Sequence, residues 1–313
     1  MTDKLCFVFP GQGSQSVGML AELAAAYPLV RETFEEGSEA LGVDLWQLSQ
    51  QGPEADLNRT DNTQPAMLAA GIAVWRVWQA QGGKAPVVAA GHSLGEYSAL
   101  VAAGRLGFAD AIPLVARRGR YMQEAVPEGQ GAMAAVLGLT DDDVCAVCAE
   151  AAGGEVVEPV NFNSPGQVVI AGSKAAVERA VVVAKEKGAK RALPLPVSVP
   201  SHCSLMHPAA DQLAGDLATI AIGEGAFPVL HNVTVAEAAD ADQVRALLAK
   251  QLYSPVRWVE TIEALPARGV ELVIEAGPGK VLTGLGKRIN KALKTLPIAD
   301  PAGLDAALEA ANA

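Results

Sequence analysis

The chain has 313 residues, half of them apolar and 19% charged, with a formal net charge of −11. That length can bury a large core, and the acidic balance excludes general nucleic-acid binding, which needs a basic field. Aromatics are only 4%, so the core must rest on Ala, Val, Leu and Ile.

The N-terminus, Met1-Thr2-Asp3-Lys4, leads directly into a strand-like run ending at Phe9. It lacks the longer apolar stretch of a signal peptide, and no run in the chain is long enough to span a bilayer, so the expected location is cytoplasmic. The strand ends in Pro10-Gly11-Gln12-Gly13-Ser14-Gln15. Apolar residues then recur at helical spacing to about Leu41. A further helix is expected from about Gln64 to Gln79, with Gly82-Gly83 ending it. The next strand runs into Gly91-His92-Ser93-Leu94-Gly95, and a helix-like stretch continues to Ala103. Gly-x-Ser-x-Gly between a strand and a helix marks a nucleophile elbow, a tight turn that projects a serine into a cleft. Side chains at Gly91 and Gly95 would crowd that turn. Backbone N–H groups at the helix start can hold a negative oxygen, so the segment predicts covalent acyl chemistry at Ser93 without saying which acyl group moves. Phe108 to Val126 reads as another helix, with arginines at 117, 118 and 120. This strand–helix alternation indicates a parallel sheet covered by helices.

The middle of the chain changes rhythm. Strands are expected at Gly131–Leu139, Val156–Phe162 and Gln167–Ala171, with a turn at Asn163-Ser164-Pro165-Gly166. Helices are expected from Thr140, whose Asp143 completes a capping-box-like start, to about Ala152, and from a Ser173 cap to about Lys187. A last extended run covers Lys190 to Val199. The order β-α-β-β-α-β is the ferredoxin-like pattern. It predicts an inserted small subdomain at 128–198, within a discontinuous larger unit made of 1–127 and 199–313. After the insertion, Pro208–Ile220 and Asp242–Gln251 read as helices and Pro228–Thr234 and Val270–Glu275 as strands. The Ala-rich tail after Pro301 reads as an exposed helix.

A nucleophilic serine needs a base. Of the four histidines, His92 adjoins Ser93 on the turn and is expected to support the elbow, while His231 sits mid-strand in a structural role. His202, in Pro200-Ser201-His202-Cys203, follows the nucleophile in chain order and is the leading candidate, with His207 next. No acidic residue between Ser93 and His202 stands out as an orienting carboxylate. The pattern is therefore compatible with a Ser–His dyad whose histidine is oriented by something else, such as a backbone carbonyl. The oxyanion hole would join the Leu94 N–H with one from the Gly11-Gln12-Gly13 loop, the Gln12 N–H. Arg117 and Arg118 point about 100° apart on a helix, so one at most faces a given cleft. On its own, the segment reads as an arginine-rich surface helix. Cys6 reads as core, and Cys145-x-x-Cys148 lacks the second pair of ligands a structural zinc needs.

Taken together, Phe9-Pro10-Gly11-Gln12-Gly13-Ser14-Gln15, Gly91-His92-Ser93-Leu94-Gly95-Glu96, Arg118-Gly119, Asn161-Phe162-Asn163-Ser164-Pro165, Pro200-Ser201-His202 and Glu275-Ala276-Gly277-Pro278-Gly279 occur in this order. This ordered set resembles the malonyl-CoA:acyl carrier protein transacylases of bacterial type II fatty acid synthesis, through to about Lys294. The resemblance implies an α/β fold: an α/β-hydrolase-like large subdomain with a mostly parallel sheet flanked by helices, and an inserted ferredoxin-like subdomain. It implies Ser93 as nucleophile, His202 as general base and acid, Gln12 and Leu94 as oxyanion-hole donors, Arg118 as the malonyl-carboxylate ligand and the Gln251 backbone carbonyl as the group that orients the histidine. Malonyl-CoA is the implied substrate, CoA the product and acidic acyl carrier protein the transient partner. No permanently bound cofactor, metal, nucleic acid or membrane is implied, and the expected state is a monomer. The basic island Lys280, Lys287, Arg288, Lys291 and Lys294 becomes a candidate carrier-protein dock. Competing expectations are a serine esterase or thioesterase, a non-catalytic carrier-binding protein, and a polyketide-type acyltransferase for another extender unit.

Overall fold

The computed structural model describes residues 4–197 and 199–313. Met1-Thr2-Asp3, and Ser198 in the extended run expected up to Val199, lie outside the described residues. Among the described residues nine strands occur in chain order: β1 (Leu5–Phe9), β2 (Val88–Gly91), β3 (Gly131–Leu137), β4 (Val157–Ser164), β5 (Gln167–Ser173), β6 (Arg191–Pro194), β7 (Val229–Leu230), β8 (Leu272–Ala276) and β9 (Lys294–Ile298). They form two sheets. The larger is parallel throughout in the order β7-β2-β1-β8-β9, and the smaller is antiparallel in the order β4-β5-β3-β6. The fold is α/β, with helices over the parallel sheet and a ferredoxin-like unit beside it, as expected from the alternation of elements.

Strand β1 lies at the centre of the large sheet and is buried along its whole length. Alternate side chains of a strand point to opposite faces. Leu5, Phe7 and Phe9 accordingly join one core with Trp75 and Trp78 of the helix Thr60–Ala80, while Cys6 and Val8 join the opposite core with Val88, Val273 and Trp258. Phe7 packs edge-on to both tryptophans, with ring centroids 4.9 and 5.3 Å apart. Parallel strands covered on both faces read as continuous apolar runs, which explains why β1 and β2 were visible in the sequence.

The small sheet follows its expected order. Thr140 and Asp143 form a reciprocal capping box at the start of the helix Asp141–Ala151. Ser173 departs from expectation: its side chain makes no capping bond, because the residue still belongs to β5 and its N–H goes to Val156 O. The small sheet is tied to the segment that follows the helix Ala241–Gln251, where Val256 N donates to Val160 O and Phe162 N donates to Val256 O.

Four other expectations change. The helical pattern up to Leu41 is broken at Tyr27-Pro28 into Ala21–Ala26 and Leu29–Leu41. The strand expected over Pro228–Thr234 shrinks to two residues, because the chain turns back at His231, whose O accepts from Val235 N. The basic island, given no element boundaries from sequence, carries the helix Val281–Ile289 and ends at Lys294, the first residue of the edge strand β9, where Pro297 is tolerated because an edge position needs no ladder donor. The C-terminal helix Pro301–Asn312 is present but not freely exposed, since Leu304 and Ala307 are fully buried in the core.

Candidate active site

The carboxyl ends of β1, β2, β7 and β8 converge on one edge of the parallel sheet, where ligands bind in open α/β folds. Ser93 is separated from the end of β2 by one residue, His92, and its backbone is left-handed, with φ of 52°. This strained conformation is the signature of a nucleophile elbow. The close fit around it explains both glycines. A Cβ on Gly91 would lie 1.9 Å from the backbone of Gly95, and a Cβ on Gly95 would lie 2.0 Å from Phe9 O. The elbow is thus clamped onto the end of β1.

His202 also has a left-handed backbone, with φ of 68°, and is almost fully buried. Its Nε2 lies 2.7 Å from Ser93 Oγ and its Nδ1 lies 2.8 Å from Gln251 O. A carbonyl only accepts, so Nδ1 carries the proton and donates to it, leaving the Nε2 lone pair facing the serine hydroxyl. Among the described residues no carboxylate hydrogen-bonds to this histidine. Burial pushes the His202 pKa down to about 3, helped by the Arg118 charge and opposed by the bond to Gln251 O. The ring is therefore neutral, as a base must be. His207 is exposed and stacks on Tyr253 instead. His92 reaches away from the serine, with Nε2 2.8 Å from Asn163 Oδ1 on β4.

The two adjacent arginines separate as helical geometry requires. Arg117 pairs with Asp216 at 2.7 Å. Arg118 is 1% exposed, which overturns the surface-helix expectation for it. Its Nη1 donates to Gln64 Oε1 at 2.7 Å, and its Nη2 donates to Gln251 Oε1 at 2.9 Å and to Ser93 Oγ at 3.3 Å. Burial lowers its pKa, and the nearby Tyr97 and Glu96 oppose that shift.

Gln12, Thr60, Ser93, Arg118, Met133 and Leu195 are among the walls of a cleft of about 440 Å³ between the large sheet and the small one. Among the described residues neither the Gln12 nor the Leu94 N–H donates to another backbone carbonyl. The site also contains residues that sequence reasoning missed. Asn232 Oδ1 accepts from Ser93 N at 2.8 Å, and its Nδ2 donates to Gly91 O at 2.7 Å, so one amide holds both sides of the elbow. Gln64 was visible only as a position in an apolar helix. Glu96, next to the elbow glycine, was the available signal for a buried carboxylate behind the serine.

Glu275, at the end of β8, is also buried. It accepts from Leu282 N and Thr283 N at 3.0 and 2.7 Å and so anchors the helix Val281–Ile289. Burial raises its pKa and these bonds counter the rise. The preceding glycine loop packs against the loop after β1, where a Cβ on Gly279 would lie 3.5 Å from Ser14 O. Lys280 at the start of this helix and Lys287 and Arg288 in its last turn are exposed, as is Lys291. Arg288 reaches Gln167 on β5 at 2.8 Å.

A family model described as an acyl transferase domain matches residues 6–303. Malonyl CoA-acyl carrier protein transacylases of Salmonella typhimurium and Escherichia coli are both 61% identical to this chain. They cover 97% and 98% of it and 99% of their own lengths. The crystal structure of an acyl carrier protein S-malonyltransferase from Vibrio cholerae matches with a TM-score of 0.94 at 61% identity, covering 97% of this chain and 99% of that one. A malonyl-transacylase solved in complex with its type II PKS acyl-carrier protein matches with a TM-score of 0.97 at 58% identity, covering 98% of this chain and 99% of that one.

Proposed function

The chain belongs to the acyl transferase family and, within it, to the malonyl CoA-acyl carrier protein transacylases, and from that premise we propose how its own residues perform the transfer. The enzyme moves malonyl from malonyl-CoA to acyl carrier protein. The chain of contacts from Ser93 Oγ through His202 to the Gln251 carbonyl, at 2.7 and 2.8 Å, is the observation that carries the assignment of roles.

Ser93 Oγ attacks the thioester carbonyl while His202 Nε2 takes its proton. The tetrahedral oxyanion is held by the Gln12 and Leu94 N–H groups. As the C–S bond breaks, His202 returns the proton to the departing sulfur and CoA leaves as the thiol. The phosphopantetheine thiol of acyl carrier protein then attacks the malonyl ester, with His202 again accepting the proton and giving it back to Ser93 Oγ. Arg118 grips the free malonyl carboxylate through both steps by charge-assisted hydrogen bonds. The boundaries 1–127 with 199–313 and 128–198 are part of the same proposal: the first unit supplies the chemistry and the second forms the opposite wall of the cleft. Intact-mass measurement after mixing with malonyl-CoA tests the scheme. A malonyl adduct should form and be discharged by carrier protein; absence of an adduct would overturn it.

The low basicity of His202 sets the pH dependence. Its folded pKa lies below the ordinary imidazole range, so the neutral base persists as pH falls and is lost only near the folded value of about 3. The acid limb of kcat/KM for malonyl-CoA should therefore lie well below about pH 6.5. A bound malonyl carboxylate offsets the Arg118 charge and raises His202 basicity, so the acid limb of kcat should lie above that of kcat/KM. Coincident limbs near the ordinary histidine value would contradict this.

Carrier protein is acidic and so is most of this chain, so docking requires a local basic surface. We assign that role to Lys280, Lys287, Arg288 and Lys291, beside the loop that meets Ser14. Reversing charge at Lys287 and Arg288 should raise the KM for carrier protein about five- to tenfold and leave malonyl-CoA loading unchanged. An unaltered KM would remove the patch from the docking site.

A further inference from the structure

Behind the serine lies a carboxylate that the transfer scheme does not use. Glu96 is fully buried. Its Oε1 lies 2.7 Å from His231 Nδ1, and its Oε2 accepts from Asn232 N at 2.8 Å and from Gln251 Nε2 at 2.9 Å. Gln251 Nε2 donates to Ser93 O as well, at 3.0 Å. With its amide nitrogen directed to these acceptors and to Asn232 Oδ1 at 3.4 Å, Gln251 must turn its Oε1 the other way, onto Arg118 Nη2 at 2.9 Å.

A buried guanidinium ordinarily needs an anion beside it. Here the side chains that Arg118 hydrogen-bonds, Gln64, Gln251 and Ser93, are neutral, and its guanidinium lies over the ring of Tyr97. The negative charge of Glu96 is held one amide away, close enough to favour the cation but not in contact with it. Were a carboxylate to touch Arg118 directly, it would occupy the donors that a substrate carboxylate needs. Were the Gln251 amide reversed, its N–H group would face the guanidinium N–H groups and push Arg118 aside.

We propose that Glu96 is a specificity-positioning residue: through the Gln251 amide it holds Arg118 beside Ser93 with its charge unpaired, and so reserves the site for acyl groups that carry a carboxylate. This rests on the reading of Arg118 as the ligand of the malonyl carboxylate. Glu96 touches no reacting atom and acts only through Gln251.

The test compares serine loading from malonyl-CoA and acetyl-CoA in the wild type, Glu96→Ala, Glu96→Gln and Arg118→Ala. Glu96→Ala should lower the malonyl-to-acetyl ratio of kcat/KM about tenfold, the scale of one charge-assisted hydrogen bond, chiefly by raising the KM for malonyl-CoA. Glu96→Gln should restore much of the ratio. Its amide oxygen can still accept from Asn232 and Gln251, and its nitrogen can face His231 in the other tautomer. Equal losses with both donors in Glu96→Ala would indicate general support of the fold and overturn the proposal, as would an unchanged ratio. Where Glu96→Ala does not fold, Gln251→Met removes the same amide while keeping the carbonyl that holds His202, and must shift the ratio in the same direction. If Arg118→Ala itself leaves the ratio intact, the carboxylate-ligand assignment fails. If Arg118→Ala lowers the ratio and neither Glu96→Ala nor Gln251→Met does, only the role of Glu96 fails.

Discussion

Ser93→Ala is expected to take no malonyl group from malonyl-CoA and to turn over at least about ten-thousand-fold more slowly than the wild type. The hydroxyl oxygen is the atom that becomes the ester, and among the described residues the hydrogen-bond partner of His202 Nε2 is Ser93 Oγ, at 2.7 Å. Alanine occupies the left-handed turn about as readily as serine, and the elbow is held by backbone contacts to Asn232, so the variant should fold. Intact-mass and steady-state measurements check this together. Because the serine and histidine act as a unit, combining Ser93→Ala with His202→Ala should be scarcely slower than either alone. A retained adduct in Ser93→Ala would move the nucleophile elsewhere.

Arg118→Ala is expected to lower kcat/KM for malonyl-CoA by about a hundred- to a thousandfold, while loading from acetyl-CoA falls far less. Paired charge-assisted bonds in a buried site are worth several kcal/mol, at about 1.4 kcal/mol per factor of ten. Acetyl has no carboxylate to lose contact with. Arg118→Lys should recover only part of the loss, because an ammonium cannot reproduce the planar, two-pronged donor geometry. The same variant has a signature in pH. The Arg118 charge is the second cause of the low His202 pKa, after burial. Removing it should move the acid limb to higher pH. Malonyl transfer that survives intact would mean that Arg118 is not the carboxylate ligand and would reopen the esterase alternative.

Much of the chemistry was written locally. A nucleophile elbow is a short-range structure, built from consecutive residues, and Gly91, Ser93 and Gly95 announce it through spacing alone. The apolar runs of β1 and β2 and the capping box at Thr140 are local in the same way. The helix Val281–Ile289 and strand β9 were not legible. Both are short, the helix carries Gly284 and Gly286, and β9 contains Pro297, so local preference favoured neither element. They form because β8 offers a pairing edge and Glu275 offers a carboxylate to an otherwise uncapped helix start.

By itself, the sequence determined the fold class, the position of the nucleophile, the absence of an obvious orienting carboxylate and, through an ordered set of motifs, the family. Which polar groups meet depends on packing between distant segments. His202 stands 109 residues from Ser93, and Gln251 a further 49. Arg117 and Arg118 are equivalent in composition, and only helix packing sends one to Asp216 and the other to the serine. The Glu96–Gln251–Arg118 relay is wholly non-local in this sense. The direction of its amide follows from hydrogen bonds between residues as far as 158 positions apart, because a buried donor must find an acceptor and only one orientation satisfies them all.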